Sequence, residues 1–288
     1  MSFAALTQSR VGPLRLSVEN KGLLMNLQNK TIVLTGASGG IGQAMAHELA
    51  NHGARLILVG RNADKLENLA QSLSGEHLFV AADLSNEDGR NQLFDYCTSN
   101  GPVNVLINNA GISAFEMIED QSDSDITQLI AINLTSPILV TKRLLPLLQS
   151  TADGGVVNVG SAFGAIGYPG FSAYCASKFG LRGYCEALRR ELFDSGLQVF
   201  YLAPRATNTA INSSRVANLN SKLGNAVDEP VIVAKALLKQ LQKNKINYYV
   251  GWPEKFFARL NGLLPSLVDS SLNKQLPVIR QSAKINKD

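Results

Sequence analysis

Residues 31–42 read TIVLTGASGGIG, and this stretch decides the fold. The opening TIVLT is β-branched and apolar, which is typical of a buried strand. Three glycines, Gly36, Gly40 and Gly42, then lead into QAMAHELA, whose apolar residues have helical spacing. Glycines between a strand and a helix let the backbone approach a pyrophosphate, which the helix amides and dipole stabilise. The stretch therefore predicts a dinucleotide-binding loop, with a purely structural turn as the alternative.

Six further short runs of β-branched and apolar residues alternate with helical patterns. They read ARLILVG, HLFVAAD, VNVLINNAG, GGVVNVGS, LQVFYLAP and NYYVG. This alternation predicts an α/β fold with a doubly wound, mostly parallel, seven-stranded sheet of the Rossmann type. Ligands of such sheets bind beyond the carboxyl ends of the strands. The residues that fall there are Gly36, Asp83, Asn109, Ser161 and Pro204.

Composition excludes several classes of protein. The 288 residues are 45% hydrophobic and 17% charged, which suits one large domain with a sizeable core. The three cysteines, Cys97, Cys175 and Cys185, are odd in number and lack the paired spacing of a zinc site, and the three histidines also lack metal-ligand spacing. We therefore expect no metal site. The absence of a disulfide framework also predicts a reducing, cytoplasmic location. No apolar run reaches the roughly 18 residues of a membrane span, and the N-terminus lacks a signal-peptide core.

The pattern divides the chain into three parts. Residues 1–24 have no clear period and are predicted to be a mobile N-terminal extension. Residues 25–251 hold the Rossmann-type catalytic domain, and residues 252–288 form an amphipathic helical C-terminal extension, interrupted by Pro265. Its apolar residues at helical spacing are Phe256, Phe257, Leu260, Leu263, Leu264, Leu267 and Val268.

Charge is unevenly distributed. Residues 231–288 contain ten Lys or Arg and three Asp or Glu, a balance of +7, although the whole chain carries only +4. This basic segment lacks the interspersed arginine and aromatic residues that are typical of a nucleic-acid-binding groove, so no nucleic-acid partner is expected. Two interpretations of the C-terminal extension stay open. It could contact an anionic membrane or an acidic acyl-carrier protein, or it could form a dimer interface or cover the sheet edge.

The second strand ends LILVGRN, which bears on the choice of cofactor. Folds that prefer NAD usually place a carboxylate here, where it accepts hydrogen bonds from the ribose 2′-hydroxyl. Gly60 and Arg61 occupy this position instead, and a guanidinium suits a 2′-phosphate. The sequence therefore favours NADP(H), with Ser38 as a further hydroxyl donor. The alternative is a solvated arginine.

The stretch SAYCASKFGL, residues 172–181, places Tyr174 and Lys178 one helical turn apart. An isolated pair of this kind is typical of a solvated helix face. As a pair in a site, however, a cation about 5 Å from the phenol would favour the phenolate by roughly 3 kcal/mol at an effective dielectric constant of about 20. This predicts a lowered pKa for Tyr174.

Five motifs together resemble the short-chain dehydrogenase/reductase family, in its single-domain branch. They are TGASGGIG at 35–42, NNAG at 108–111, Asn133 in AINLTS, Ser161 in VNVGSA and YCASK at 174–178. The resemblance implies a catalytic tetrad of Asn133, Ser161, Tyr174 and Lys178. Tyr174 would then give a proton to the developing alkoxide, Ser161 would hold its oxygen, and Asn133 would hold a water that relays protons.

The resemblance covers about residues 28–250 and also implies cofactor contacts and a homodimer or homotetramer. Asp83 and Leu84 would lie beside the adenine, and Asn109, Ala110 and Gly111 would support the cofactor. The full predicted set of cofactor contacts is Gly36, Ser38, Gly40, Ile41, Gly42, Arg61, Asp83, Leu84, Asn109, Ala110, Gly111, Tyr174, Lys178, Pro204, Thr207 and Thr209.

One segment departs from the family pattern. APRATNT, residues 203–209, has Arg205 where the family usually has glycine, although Thr209 keeps a hydroxyl. Arg205 could meet an anionic group of the substrate or pair with a protein carboxylate. Residues 205–228 are predicted to form a mobile substrate lid.

These observations predict an NADPH-dependent reductase of ketones or aldehydes, with an acyl or otherwise lipidic substrate. Two alternatives stay open. One is a non-catalytic NADP(H)-binding sensor, for which an intact proton donor would have no use. The other is an alcohol dehydrogenase that works in the oxidative direction.

Overall fold

The computed structural model describes residues 25–252 and 254–284, so the predicted extension at residues 1–24 lies outside the described residues. Seven strands form one sheet: β1 Thr31–Thr35, β2 Arg55–Gly60, β3 Leu78–Ala81, β4 Val105–Asn108, β5 Gly155–Val159, β6 Gln198–Ala203 and β7 Asn247–Tyr249. Their order is β3-β2-β1-β4-β5-β6-β7, and every neighbouring pair is parallel. The predicted doubly wound sheet is confirmed.

Ten α-helices accompany the strands within the described residues: α1 Gly40–Asn51, α2 Ala63–Ser72, α3 Glu87–Ser99, α4 Asp123–Ile130, α5 Ser136–Gln149, α6 Ser172–Glu191, α7 Ser214–Leu223, α8 Pro230–Gln242, α9 Glu254–Leu263 and α10 Pro265–Lys284. The chain leaves β1 toward β3 and then returns to β4 on the other side of β1. This reversal opens a crevice at the carboxyl ends of β1 and β4, which is where such folds bind ligands.

The core has one layer on each face of the sheet. Successive residues of β1 point to opposite faces, so that Ile32 and Leu34 pack with α1 and α8, while Val33 packs with α3 and α5. All five residues of β1 are buried, as expected of a strand covered on both faces. Cys97, Cys175 and Cys185 are buried and free. The continuous apolar runs of the strands in the sequence thus indicate that the sheet has a core on both faces.

The C-terminal extension is helical, with a break before Pro265. Its second helix, α10, runs from Pro265 to Lys284. Helix α10 packs on α7 and buries Val268 and Ile279, and the Asn261 amide of α9 donates to the Ala165 carbonyl at 2.9 Å. The extension therefore covers the ligand-binding end of the sheet. None of the helices within residues 25–252 and 254–284 is both long and apolar enough to cross a membrane.

Candidate active site

The glycine loop after β1 leaves room for an anion. Gly36 has φ 63°, in the left-handed region, and a Cβ there would lie 2.7 Å from the Ala110 Cα. A Cβ on Gly42 would overlap the Gly36 carbonyl. Helix α1 follows Gly39, which offers no side chain to cap its amides. The first-turn amides of α1 are therefore available to a phosphate.

The NNAG segment is hydrogen-bonded to the end of β1 and the start of this loop. The Thr35 hydroxyl accepts hydrogen bonds from the Asn109 and Ala110 amides at 3.0 and 3.1 Å. The Asn109 side chain donates in turn to the Thr35 and Gly36 carbonyls, both at 3.1 Å. Asn109 and Ala110 thus join the ends of β1 and β4, while their role in supporting a cofactor stays a prediction.

Most of the predicted cofactor contacts line one cleft of about 370 Å³. They are Gly36, Ser38, Gly40, Ile41, Gly42, Arg61, Asp83, Leu84, Asn109, Ala110, Gly111 and Thr209. The other four, Tyr174, Lys178, Pro204 and Thr207, line an adjoining cavity. Ile41, Asn109, Gly111 and Thr209 border both spaces, so the cleft and the cavity form one continuous site.

The far end of the cleft carries a cation. Arg61 follows β2, is exposed, and forms no ion pair with any part of the chain that the structure describes. A Cβ on Gly60 would lie 3.3 Å from the Ser38 hydroxyl, so the absence of a side chain keeps this corner open. Hydrogen bonds from Ser85, and the Arg61 charge, hold the pKa of Asp83 below its usual range. Asp83 is therefore an anion near the guanidinium.

Helix α6 presents Tyr174 and Lys178 on the same face. The Lys178 Nζ lies 5.7 Å from the centre of the Tyr174 ring and donates to the Val159 carbonyl at 3.1 Å. Ser161 follows β5, and its hydroxyl accepts from the Phe163 amide at 3.1 Å. A hydrogen bond between Ser161 and Tyr174 opposes the rise of the tyrosine pKa. The structure thus brings Ser161, Tyr174 and Lys178 together.

Asn133 lies in a π-helical turn, residues 131–135, between α4 and α5. Such turns are frequent at functional sites because they push one side chain out of the helical register. The Asn133 amide accepts from the Ile112 amide and donates to the Ile112 carbonyl, both at 2.8 Å. It also donates to the Ser177 hydroxyl at 3.3 Å. Asn133 therefore joins the loop after β4 to α6, while its water-relay role stays a prediction.

The predicted lowering of the Tyr174 pKa is wrong for this structure. Burial raises the pKa of Tyr174 to about 12, because a phenolate would lose its hydration in the apolar cavity. Burial also lowers the pKa of Lys178 to about 8. The spacing correctly indicates proximity, but desolvation outweighs the attraction between the two groups. Tyr174 is thus held in its protonated form.

Above the tetrad lies the adjoining cavity, of about 360 Å³. Phe163 stacks on Tyr168 with ring centres 4.9 Å apart, and Phe171 lies against both. Sequence reasoning missed the rest of the wall, which comes from the C-terminal extension: Glu254, Phe257, Val268, Ser271, Leu272 and Gln275. The helical spacing of apolar residues was the available signal, but it does not say what the helices face.

The structure decides between the two interpretations of Arg205. Its guanidinium donates to both Asp228 oxygens, at 2.9 and 2.7 Å, and to Glu254 at 3.3 Å. The partner is a protein carboxylate rather than a substrate. Asp228 closes the base of segment 205–228 through a bridge with Thr207. Arg205 therefore joins this segment, which contains α7, to the start of α9.

We expect Arg205→Met to lower the free energy of unfolding by about 2 kcal/mol, since it leaves the buried Asp228 carboxylate unpaired. Urea unfolding would measure this. The matched control is Lys30→Met, which removes a 3.9 Å pair with the exposed Asp153 and should change stability by less than about 0.5 kcal/mol. Because Arg205 is already paired, neutral and anionic carbonyl compounds should be affected equally, and a selective loss for anionic ones would contradict this assignment.

A parallel sheet with a glycine-rich loop beside a half-buried tyrosine and a buried lysine is typical of the class of dinucleotide-dependent oxidoreductases. The family model for short chain dehydrogenases matches residues 30–220, and the chain belongs to the short-chain dehydrogenase/reductase family. Members bind NAD or NADP. Residues 25–252 and 254–284 contain no group of three or more His, Cys, Asp or Glu side chains placed to hold a metal ion.

Several known proteins are similar to this chain. Dehydrogenase/reductase SDR family member 7B of Bos taurus is 33% identical over 84% of this chain and 79% of its own length. The 3-oxoacyl-(acyl-carrier-protein) reductase FabG of Rickettsia typhi is 30% identical over 72% of this chain and 83% of its own. A dehydrogenase/reductase from Sinorhizobium meliloti, solved by crystallography, superposes with a TM-score of 0.72 at 24% identity, covering 79% of this chain and 96% of that one. The superposition shows a shared fold.

Proposed function

We propose that this protein is an NADPH-dependent reductase of ketones or aldehydes with a lipophilic substrate. The observation that carries the proposal is the meeting of Ser161, Tyr174 and Lys178 at the junction of the cofactor cleft and the apolar cavity. The glycine loop, the free amides of α1 and the open corner at Gly60 fit a dinucleotide. When bound, the cofactor supplies the hydride.

The protein's own residues manage the oxygen and the proton. The Ser161 hydroxyl holds the carbonyl oxygen, and the Tyr174 hydroxyl gives its proton to that oxygen as negative charge develops. Lys178 stabilises the phenolate that remains. Apolar walls exclude water, which strengthens both interactions.

Tyr174 carries the proton that reduction of a carbonyl consumes. Burial raises the pKa of Tyr174 and so opposes the phenolate, which is the form that oxidation of an alcohol would use as base. Reduction needs the protonated phenol, which is the form that burial stabilises. A binding sensor has no use for a proton donor at this position, so the presence of Tyr174 favours an enzyme.

Preference for NADPH rests on Arg61. Its guanidinium has no ion-pair partner among the described residues and lines the cofactor cleft next to Gly60. A guanidinium in this position suits a 2′-phosphate. We expect Arg61→Ala to raise the dissociation constant of NADPH by about ten- to a hundredfold and to leave that of NADH nearly unchanged. Fluorescence titration with both cofactors measures this. Lys65→Ala, at an exposed lysine on the next helix, is the control, and equal losses for NADPH and NADH would mean that Arg61 is structural.

The substrate class rests on the cavity wall. Isoleucine, valine, phenylalanine and leucine side chains form the apolar part of this wall, and its one arginine, Arg205, is neutralised by Asp228 and Glu254. These features support an uncharged lipophilic or acyl carbonyl compound. A panel of keto-acyl, steroid-like and aldehyde substrates, followed by NADPH absorbance, tests the proposal. If no carbonyl compound drives NADPH oxidation, the sensor interpretation is preferred. A cytoplasmic location and a homodimer or homotetramer stay predictions.

A further inference from the structure

Trp252, Phe256, Leu263, Leu264 and Leu267 form an exposed apolar patch. Trp252 is 72% exposed and Leu263 79%, and the other three side chains are 47–55% exposed. The Trp252 and Phe256 rings lie together, with centres 5.9 Å apart. Helix α9, which carries two of these residues, has no buried residue. Exposed aromatic and leucine side chains concentrated in one short segment indicate an interaction site.

Basic side chains flank the apolar patch. Lys255 and Arg259 are exposed one turn apart on α9, and neither forms an ion pair within the described residues. The one acidic residue of α9, Glu254, is already occupied by Arg205. Asp269 of α10 is also exposed, two residues after Leu267, so Lys255 and Arg259 leave a net positive charge beside the patch that is complementary to an anionic surface.

The apolar patch also adjoins the cavity. Phe257 follows Phe256 on α9, with ring centres 5.8 Å apart, and Phe257 lines the cavity. Val268 follows Leu267 and is buried in the same wall. The elements that expose apolar residues to the surroundings are thus the elements that enclose the cavity.

We propose that the apolar patch docks the protein peripherally on an anionic phospholipid membrane. Aromatic and leucine side chains beside lysine and arginine are the composition of helices that lie in a membrane interface, where tryptophan is also enriched. A second copy docked through the same patch would bring the same basic side chains to both sides of the contact, and like charges oppose such a contact. The membrane is therefore the occupant that both the charge and the apolar residues favour. The proposal does not depend on the reaction proposed above.

Vesicle co-sedimentation of the full chain tests the proposal. We expect binding to vesicles of equal parts phosphatidylglycerol and phosphatidylcholine, and weak binding to phosphatidylcholine alone. Phe256→Ser/Leu263→Ser and, separately, Lys255→Glu/Arg259→Glu should each raise the apparent dissociation constant by at least about tenfold. None of these four side chains lines the cavity or the cleft, so NADPH binding measured by fluorescence should be unchanged.

Matched controls separate the surface from general effects. Phe193→Ser removes an aromatic ring that is 78% exposed beyond the far end of α6, about 30 Å from its start. Lys235→Glu/Lys239→Glu reverses two exposed lysines one turn apart on α8. Both controls should bind vesicles as the parent does. Circular dichroism and light-scattering mass accompany every variant.

Three results would overturn the proposal. The first is no binding of the parent protein to anionic vesicles. The second is equal binding to both kinds of vesicle. The third is a fall in solution mass of the Phe256→Ser/Leu263→Ser variant, since that would identify the patch as an interface between copies. Should that variant fail to fold, the charge-reversal pair alone decides the outcome.

Discussion

Replacing Tyr174 with phenylalanine is expected to lower kcat for carbonyl reduction by about a thousandfold, on the scale of a lost general acid. The Tyr174 hydroxyl contacts Ser161, and the centre of its ring lies 5.7 Å from the Lys178 Nζ. The ring should stay in place, since its edge contacts to Phe163 and Phe171 need no hydroxyl. NADPH binding is therefore expected to be nearly unchanged. Steady-state turnover and fluorescence titration give the two readouts.

Tyr168→Phe is the matched control for this prediction. Tyr168 lines the same cavity, and its hydroxyl donates to Gln275 at 3.2 Å rather than facing Ser161. Its removal should change kcat by less than about tenfold. If Tyr174→Phe keeps most of its turnover, or if both variants lose equal activity, Tyr174 is not the proton donor.

Much of the fold could be predicted because its signals are local. Most strands are short runs of β-branched and apolar residues, and β1 ends at Gly36, where the chain changes direction. Crossover helices between such strands force a parallel sheet, and the parallel sheet collects the strand ends at one edge. For this reason Asp83, Asn109 and Ser161, far apart in the sequence, were expected at one site.

The features that were missed depend on long-range packing. The Arg205 partners lie 23 and 49 residues away, at Asp228 and Glu254, and no local pattern joins them. The position of α10 over the cavity depends on packing against α7. Burial explains the wrong direction of the Tyr174 pKa, because helical spacing gives the distance to Lys178 but not the loss of hydration around the phenol.

Replacing Lys178 with alanine is expected to lower kcat by about a hundredfold or more and to weaken NADPH binding as well. The Lys178 ammonium stabilises the Tyr174 phenolate after proton transfer, and it lies 3.7 Å from the point where a Cβ on Gly111 would enter the cleft. A single side chain thus faces both the proton donor and the cofactor space. Lys142→Ala, at an exposed lysine on α5, is the control.

The pH dependence of reduction distinguishes this electrostatic role from a packing role. Burial lowers the pKa of Lys178 to about 8, so its charge is present below that pH and is lost above it. Because the anionic phosphates of a bound cofactor hold the proton more tightly, kcat should fall with rising pH at a value no lower than about 8. In Lys178→Ala the remaining activity should lose this decline, since the titrating group is gone. An unchanged decline in the variant would mean that another group titrates, and that Lys178 acts through packing alone.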